Sequence, residues 1–189
     1  MEEAVIRRVM PNSIEAEQSV VGSMLMDKDA IIAAAEILNK DDFYHNQYGT
    51  MFQTMVDMNN AGRAVDLVTF QEELRARNVP AEVYGIDFIR ELLEAVPTSA
   101  NIRQYAEIVK DKAMLRNIIR TTEEIANQCY AGTGETEDIL ADTEKKVFEL
   151  VKSKASKDSM PIGDVVVEAI DRISAAARNR GAVTGIPTG

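Results

Sequence analysis

Tryptophan is absent from the 189 residues, and cysteine and histidine occur once each. A single cysteine, Cys129, excludes an internal disulfide and suits a reducing, cytoplasmic setting. Aromatic residues make up only 5%, so a core must be filled by Ala, Ile, Leu, Val and the nine methionines, which favours helix packing over a β-sandwich. Basic residues are outnumbered, 21 against 31 acidic, for a net charge of -10. Such a surface repels phosphate and argues against a module that grips DNA by its own field. No run reaches the roughly 20 apolar residues that a bilayer span needs. The opening "MEEAVIRRVM" starts acidic and lacks the long apolar stretch of a signal peptide.

The familiar catalytic signatures are missing as well. No glycine precedes a lysine, so G-x-x-x-x-G-K-[ST] is absent and with it P-loop nucleotide hydrolysis. G-x-S-x-G, H-E-x-x-H, C-x-x-C and the calcium-loop pattern do not occur either. His45 stands just before a helix start without a nucleophile or metal cluster, so capping or packing is expected of it rather than catalysis. Cys129 lies on an apolar stripe and reads as a buried hydrophobe. Asp41–Asp42, Glu72–Glu73 and Glu123–Glu124 are neighbours in sequence; on a helix they diverge by about 100°, so they read as solvated faces. Lys112, Arg116 and Arg120 make a basic row at i, i+4 spacing, read as a solvated face paired with acidic residues of the hairpin. Met51, Met55 and Met58, at helical spacing, read as core filler.

What is present is helix. "PNSIEAEQSVVGSMLMD" predicts a helix capped at Asn12 with Glu15 as its capping-box partner, and with Ile14, Val21, Met24 and Leu25 inward. "DAIIAAAEILN" predicts a second, capped by Asp29 and running to about Leu38. A third follows His45, turns Met51, Phe52, Met55 and Val56 to one side, and stops at Gly62. A fourth is capped near Asp66 with Phe70 and Leu74 inward, and "GIDFIRELLEAV" gives a fifth before Pro97. These form a compact head over residues 1–98.

Ser99 to Ala131 holds no helix breaker, which predicts a rod of roughly 50 Å. "GTGET" forces a turn, and a return helix to Ser153 completes an αα-hairpin over 99–153. Ile102, Ala106, Val109 and Ala113 form an early apolar stripe expected to meet the head. Leu115, Ile118, Thr122, Ile125 and Cys129, widened by Ile119 and Ala126, form a later one. Leu140, Val147, Phe148 and Val151 line the return helix. One hairpin covers only the faces its two helices share, so the later stripe needs a partner. A second copy would give a four-helix bundle with two-fold symmetry. Polar "KASKDSMPIG" reads as a linker over 154–163, and 164–180 as an amphipathic helix with Val166, Ile170, Ile173 and Ala177 in one row. The fold class expected is therefore all-α: helical head, long hairpin, linker, separate helix.

Four stretches, "PNSIEAEQSVVGSMLMD", "AVDLVTFQEEL", "VPTSANIRQYAEIVKDKAMLRNII" and the terminal "TGIPTG", occur in an order that resembles the bacterial replicative DNA helicases of the DnaB family. Val21 stands where that family often has leucine, and Gly85 where two glycines are frequent. The resemblance covers essentially the whole chain and implies the N-terminal domain with its linker helix. Residues 181–189 would then begin the RecA-like ATPase domain. By this resemblance the domain is non-catalytic. It forms the N-terminal collar of a hexameric ring as a trimer of hairpin dimers, recruits primase, and meets a helicase loader near the linker helix. ATP, Mg and the DNA contact belong to the full-length ring. Leu115, Ile118, Ile119, Thr122, Ile125, Phe148 and Val151 are the expected contacts with a second copy or with primase. Val166, Ile170 and Ile173 are expected to dock on a neighbouring motor domain. The alternative is a free-standing helical adaptor without a motor; a helical DNA-binding module and a small hydrolase built on His45 are more distant rivals.

Overall fold

A computed structural model describes residues 9–96, 98–132 and 134–155. The docking-helix residues Val166, Ile170 and Ile173, the linker from 156 on and the 181–189 stretch lie outside them. Among the described residues every regular element is helical, so the fold is all-α. In order these are α1 (Ile14–Met26), α2 (Lys28–Ala35), α3 (Asn46–Asn60), α4 (Leu67–Ala76), α5 (Ala81–Tyr84), α6 (Ile86–Glu94), α7 (Ile102–Ala131) and α8 (Thr136–Ala155). Short 3-10 turns occupy Lys40–Asp42 and Ser99–Asn101. The residues divide into two compact units whose boundary falls within α7, between Glu124 and Ile125.

Helix starts follow side-chain chemistry, with two shifts from the sequence expectation. Ser13, not Asn12, caps α1: its hydroxyl accepts from the Ala16 N–H, while the Asn12 amide donates to Met10 O. Glu15 is therefore not a capping-box partner. Asp27, not Asp29, caps α2 by accepting from the Asp29 N–H, and that helix ends at Ala35 rather than Leu38. In each case the capping side chain lies one or two residues from the one expected, because several Asx and Ser residues compete for the same free N–H groups. Asp66 caps α4 as expected, within a box closed by Thr69. Gly62 ends α3 with a φ of 68°, a conformation that side chains with a Cβ rarely adopt.

In the first unit α1 packs against α2, α3 and α6. Val20, Val21, Met24, Ile31, Met51, Phe52, Met55, Met58, Phe70 and Leu74 are buried in its core, so the methionines are filler as expected. Ile14 is exposed instead of inward, since it begins the helix where the chain has not yet entered the core. The α1 and α6 backbones approach so closely that a Cβ on Gly22 would lie 2.7 Å from Leu92 O. Ile102, Ala106, Val109 and Ala113 of α7 are all buried, as the early stripe predicts.

An ion-pair network staples α3 to α4. Glu73 accepts from Arg77 Nε and from Arg63, and Asp57 accepts from Arg77 Nη1 and from the Gln53 amide. Hydrogen bonds from Arg77 and then Arg63 hold the Glu73 carboxyl below its usual value. Burial alone would raise that of Asp57, but bonds from Arg77 and Gln53 outweigh it and hold it low as well. A carboxylate with a depressed folded-state pKa stabilises above its unfolded value, and that contribution is lost as pH falls through the folded value. The double variant Asp57→Asn/Glu73→Gln is expected to flatten the acid limb of a plot of urea midpoint against pH below about pH 4. Curves that stay parallel there would dismiss the network as a source of acid sensitivity.

In the second unit Gly132 and Gly134, at φ 58° and 108°, turn the chain between α7 and α8. Gln128 ties the two helices together: it accepts from Lys146 Nζ at 3.4 Å and bonds to Asp142. Lys146 also pairs with Asp142 one turn away on α8. These contacts are the fold-back of a helical hairpin.

Candidate functional site

No group of three or more His, Cys, Asp or Glu side chains among the described residues could hold a metal ion. No helix among them is long and apolar enough to cross a membrane. His45 sits at the N-cap position of α3 with no side-chain cap bond, its ring edge-on to Tyr44 and Tyr48. It packs against these two rings, as expected. A groove of about 390 Å³ beside α4 and α5 is lined by Gln71, Glu72, Arg75, Ala81, Tyr84 and Gly85 and brings no reactive constellation together.

The conspicuous surface is apolar. On α7 within the first unit, Leu115 and Ile118 are 46% and 41% exposed. Ile119 is half-buried beside them, and the Thr122 hydroxyl donates back to Ile118 O and Ile119 O. That bonding satisfies the Thr122 hydroxyl within α7 itself, so it needs no polar partner on this face. Ile108, also exposed, falls on the same side one heptad before Leu115, so the row starts earlier than the sequence reading placed it. In the second unit Ile125 is half-buried, while Leu140, Val147, Phe148 and Val151 of α8 are exposed, Phe148 to 67%. Tyr130 is 91% exposed. Cys129 is exposed, not buried: the hairpin alone does not cover its side of α7.

Sequence reasoning missed the charged residues that set α7 against the rest of the first unit. Arg116, expected on a solvated row, is 2% exposed. Its guanidinium donates to Pro11 O at 2.7 Å and to Asp42 O at 2.6 Å, and lies 5.7 Å from the centre of the Tyr44 ring. Burial holds its pKa below the ordinary arginine value, opposed by the charges of Glu17 and Asp42. Asp42, expected on a solvated face, is buried too; it accepts from Lys110 Nζ at 2.8 Å and from the Asn39 N–H at 2.8 Å. Glu17 is 1% exposed and accepts from the Tyr44 and His45 N–H groups at 2.8 and 3.1 Å, ahead of the first turn of α3. A carboxylate there satisfies free N–H groups and faces the positive end of the helix dipole. The available signal was Glu17 itself, an acidic residue one position after Ala16 and three before Val20 on the inward side of α1.

Residues 9–111 match the family described as DnaB-like helicase N terminal domain. The chain belongs to that family. It is 39% identical over 189 residues to the replicative DNA helicase DnaB of Geobacillus stearothermophilus, covering 100% of this chain and 42% of that protein. The chain thus spans about two fifths of the length of the curated relatives it matches. Among solved structures, the N-terminal domain of DnaB helicase from Mycobacterium tuberculosis matches with a TM-score of 0.69 and 31% identity, over 75% of this chain and 99% of that one. A DnaB-like replicative helicase, solved in work on its interactions with primase, matches with a TM-score of 0.63 over 94% of this chain and 38% of that one. At 20% identity that likeness is one of fold. The matched region is the N-terminal domain of these helicases, an all-α domain without the catalytic one. The resemblance in the sequence and the absence of a P-loop agree with this.

Proposed function

We propose that this DnaB-family domain is the assembly and recruitment part of a replicative helicase: it pairs with a second copy through α7 and α8, and the pairs build an N-terminal collar on a hexameric ring. The exposed apolar row on α7 in the first unit carries the proposal, and Phe148 and Val151, exposed on α8 in the second unit, support it separately. Isolated exposed Leu or Ile residues need no explanation, but a row sustained over several helical turns is a surface made to be covered. An identical row on a second copy is the cheapest cover, because a two-fold contact uses one patch twice.

Primase is the proposed second partner, supported by the shared fold with the helicase studied with its primase. Residues 164–180 would meet a loader, and Val166, Ile170 and Ile173 would seat on a neighbouring motor domain. ATP, Mg and DNA engagement belong to the full-length ring, and the acidic charge of -10 fits a domain that leaves DNA to the motor. Light scattering on the purified chain should give a mass above 20.9 kDa that rises with concentration, and a further species when primase is added. A single copy at all concentrations, with no primase complex, would refute the reading.

A further inference from the structure

The exposed row on α7 is useful only if the helix is held at one rotation about its axis. The apolar contacts that seat α7 do not specify that rotation well. Ala106 and Ala113 are buried with Ile102 and Val109, and an alanine-rich stripe offers little relief to resist sliding or turning. Hydrophobic burial is also non-directional. Hydrogen bonds to a buried charge are directional, and α7 carries the buried Arg116 with the half-buried Lys110 six residues before it.

We infer that Arg116, with Lys110 beside it, is a positioning residue that locks the rotation of α7 and so aims the self-assembly row outward; this rests on the function proposed above. Arg116 reaches two carbonyls, Pro11 O and Asp42 O, that belong to separate segments. Lys110 grips the carboxylate of that same Asp42 with both oxygens within 3.0 Å. Glu17 fixes Tyr44 and His45, two and three residues further on, from α1. The short stretch 42–45 is thus pinned from α1 on one side and α7 on the other. Glu17, Asp42, Lys110 and Arg116 sum to zero formal charge, so the buried Arg116 is set among charges of the opposite sign. Arg116 lies roughly 60° to 120° around the helix from Ile119, Ile108, Leu115 and Thr122, and at 2% exposure it offers no surface to a partner itself. Buried polar groups of this kind can specify one arrangement among several of similar stability.

Self-association by sedimentation equilibrium and urea midpoint, measured together, test the lock. Arg116→Met keeps length and bulk while removing the directional bonds. It should weaken self-association at least tenfold while helix content by circular dichroism is retained. Arg116→Lys, which keeps the charge but cannot bridge both carbonyls, should fall between Met and wild type. If either folded variant associates as tightly as wild type, the lock is refuted. If Arg116→Met does not fold, Arg116→Lys decides alone on the same criterion. Ile118→Glu in the same assay separates the two ideas: its loss of association with an intact Arg116 shows the row is the interface, whatever Arg116 does. Unchanged association of both Ile118→Glu and Ile125→Glu refutes the interface itself rather than the lock.

Discussion

Ile118→Glu is expected to weaken self-association about 100-fold and to leave the urea midpoint nearly unchanged. Ile118 is 41% exposed in the single chain, and glutamate is a good helix former, so the fold tolerates the change. In a pair of copies the same position would be covered. An unpaired carboxylate placed there must be desolvated or the contact abandoned. A 100-fold loss corresponds to about 2.7 kcal/mol, well within the cost of such desolvation. Ile125→Glu should behave alike, although Ile125 is half-buried and its substitution will cost some stability as well. Mass by light scattering and primase affinity by titration are the readouts. If both variants match wild type in both measurements, α7 is not the contact.

Glu17→Ala should destabilise the first unit by about 3–5 kcal/mol, the range for breaking a buried charge arrangement from one side. Three losses combine. The Tyr44 and His45 N–H groups lose their acceptor in a partly buried setting. Arg116 loses a nearby negative charge while remaining buried. The truncation also leaves space between α1 and the start of α3. Glu17→Gln should cost less, because its amide oxygen can still accept one of the two N–H bonds. The comparison is made by urea denaturation at neutral pH. A midpoint for Glu17→Ala within error of wild type would mean that water replaces the carboxylate and that the site is not dry.

These two residues also show where the sequence speaks and where it does not. Ile118 could be picked out because its neighbours at i−3, i+4 and i+7, Leu115, Thr122 and Ile125, repeat at the helical period. Period is a local property, and a helix imposes it on the chain whatever else is packed nearby. The same logic found the buried early stripe, the Asp66 cap and the Gly62 stop. It did not find the four-residue α5 or the 3-10 turn at Lys40–Asp42, which are too short to show any period. Cap identity was legible only to within one or two residues, since Asn12 and Ser13, or Asp27 and Asp29, are equally able to accept from a free N–H.

Composition and spacing by themselves determined that this chain is helical, that it carries no P-loop, and that α7 has more apolar surface than one hairpin covers. Only the tertiary structure decided that Glu17, Asp42 and Arg116 are interior residues. The reason is distance along the chain: Arg116 meets Pro11 across 105 positions and Asp42 across 74, and Glu17 meets Tyr44 across 27. A charged residue in a one-dimensional reading belongs to water by default. It becomes part of a core only when folding delivers its partners from elsewhere in the chain, and no local pattern records which partners those will be.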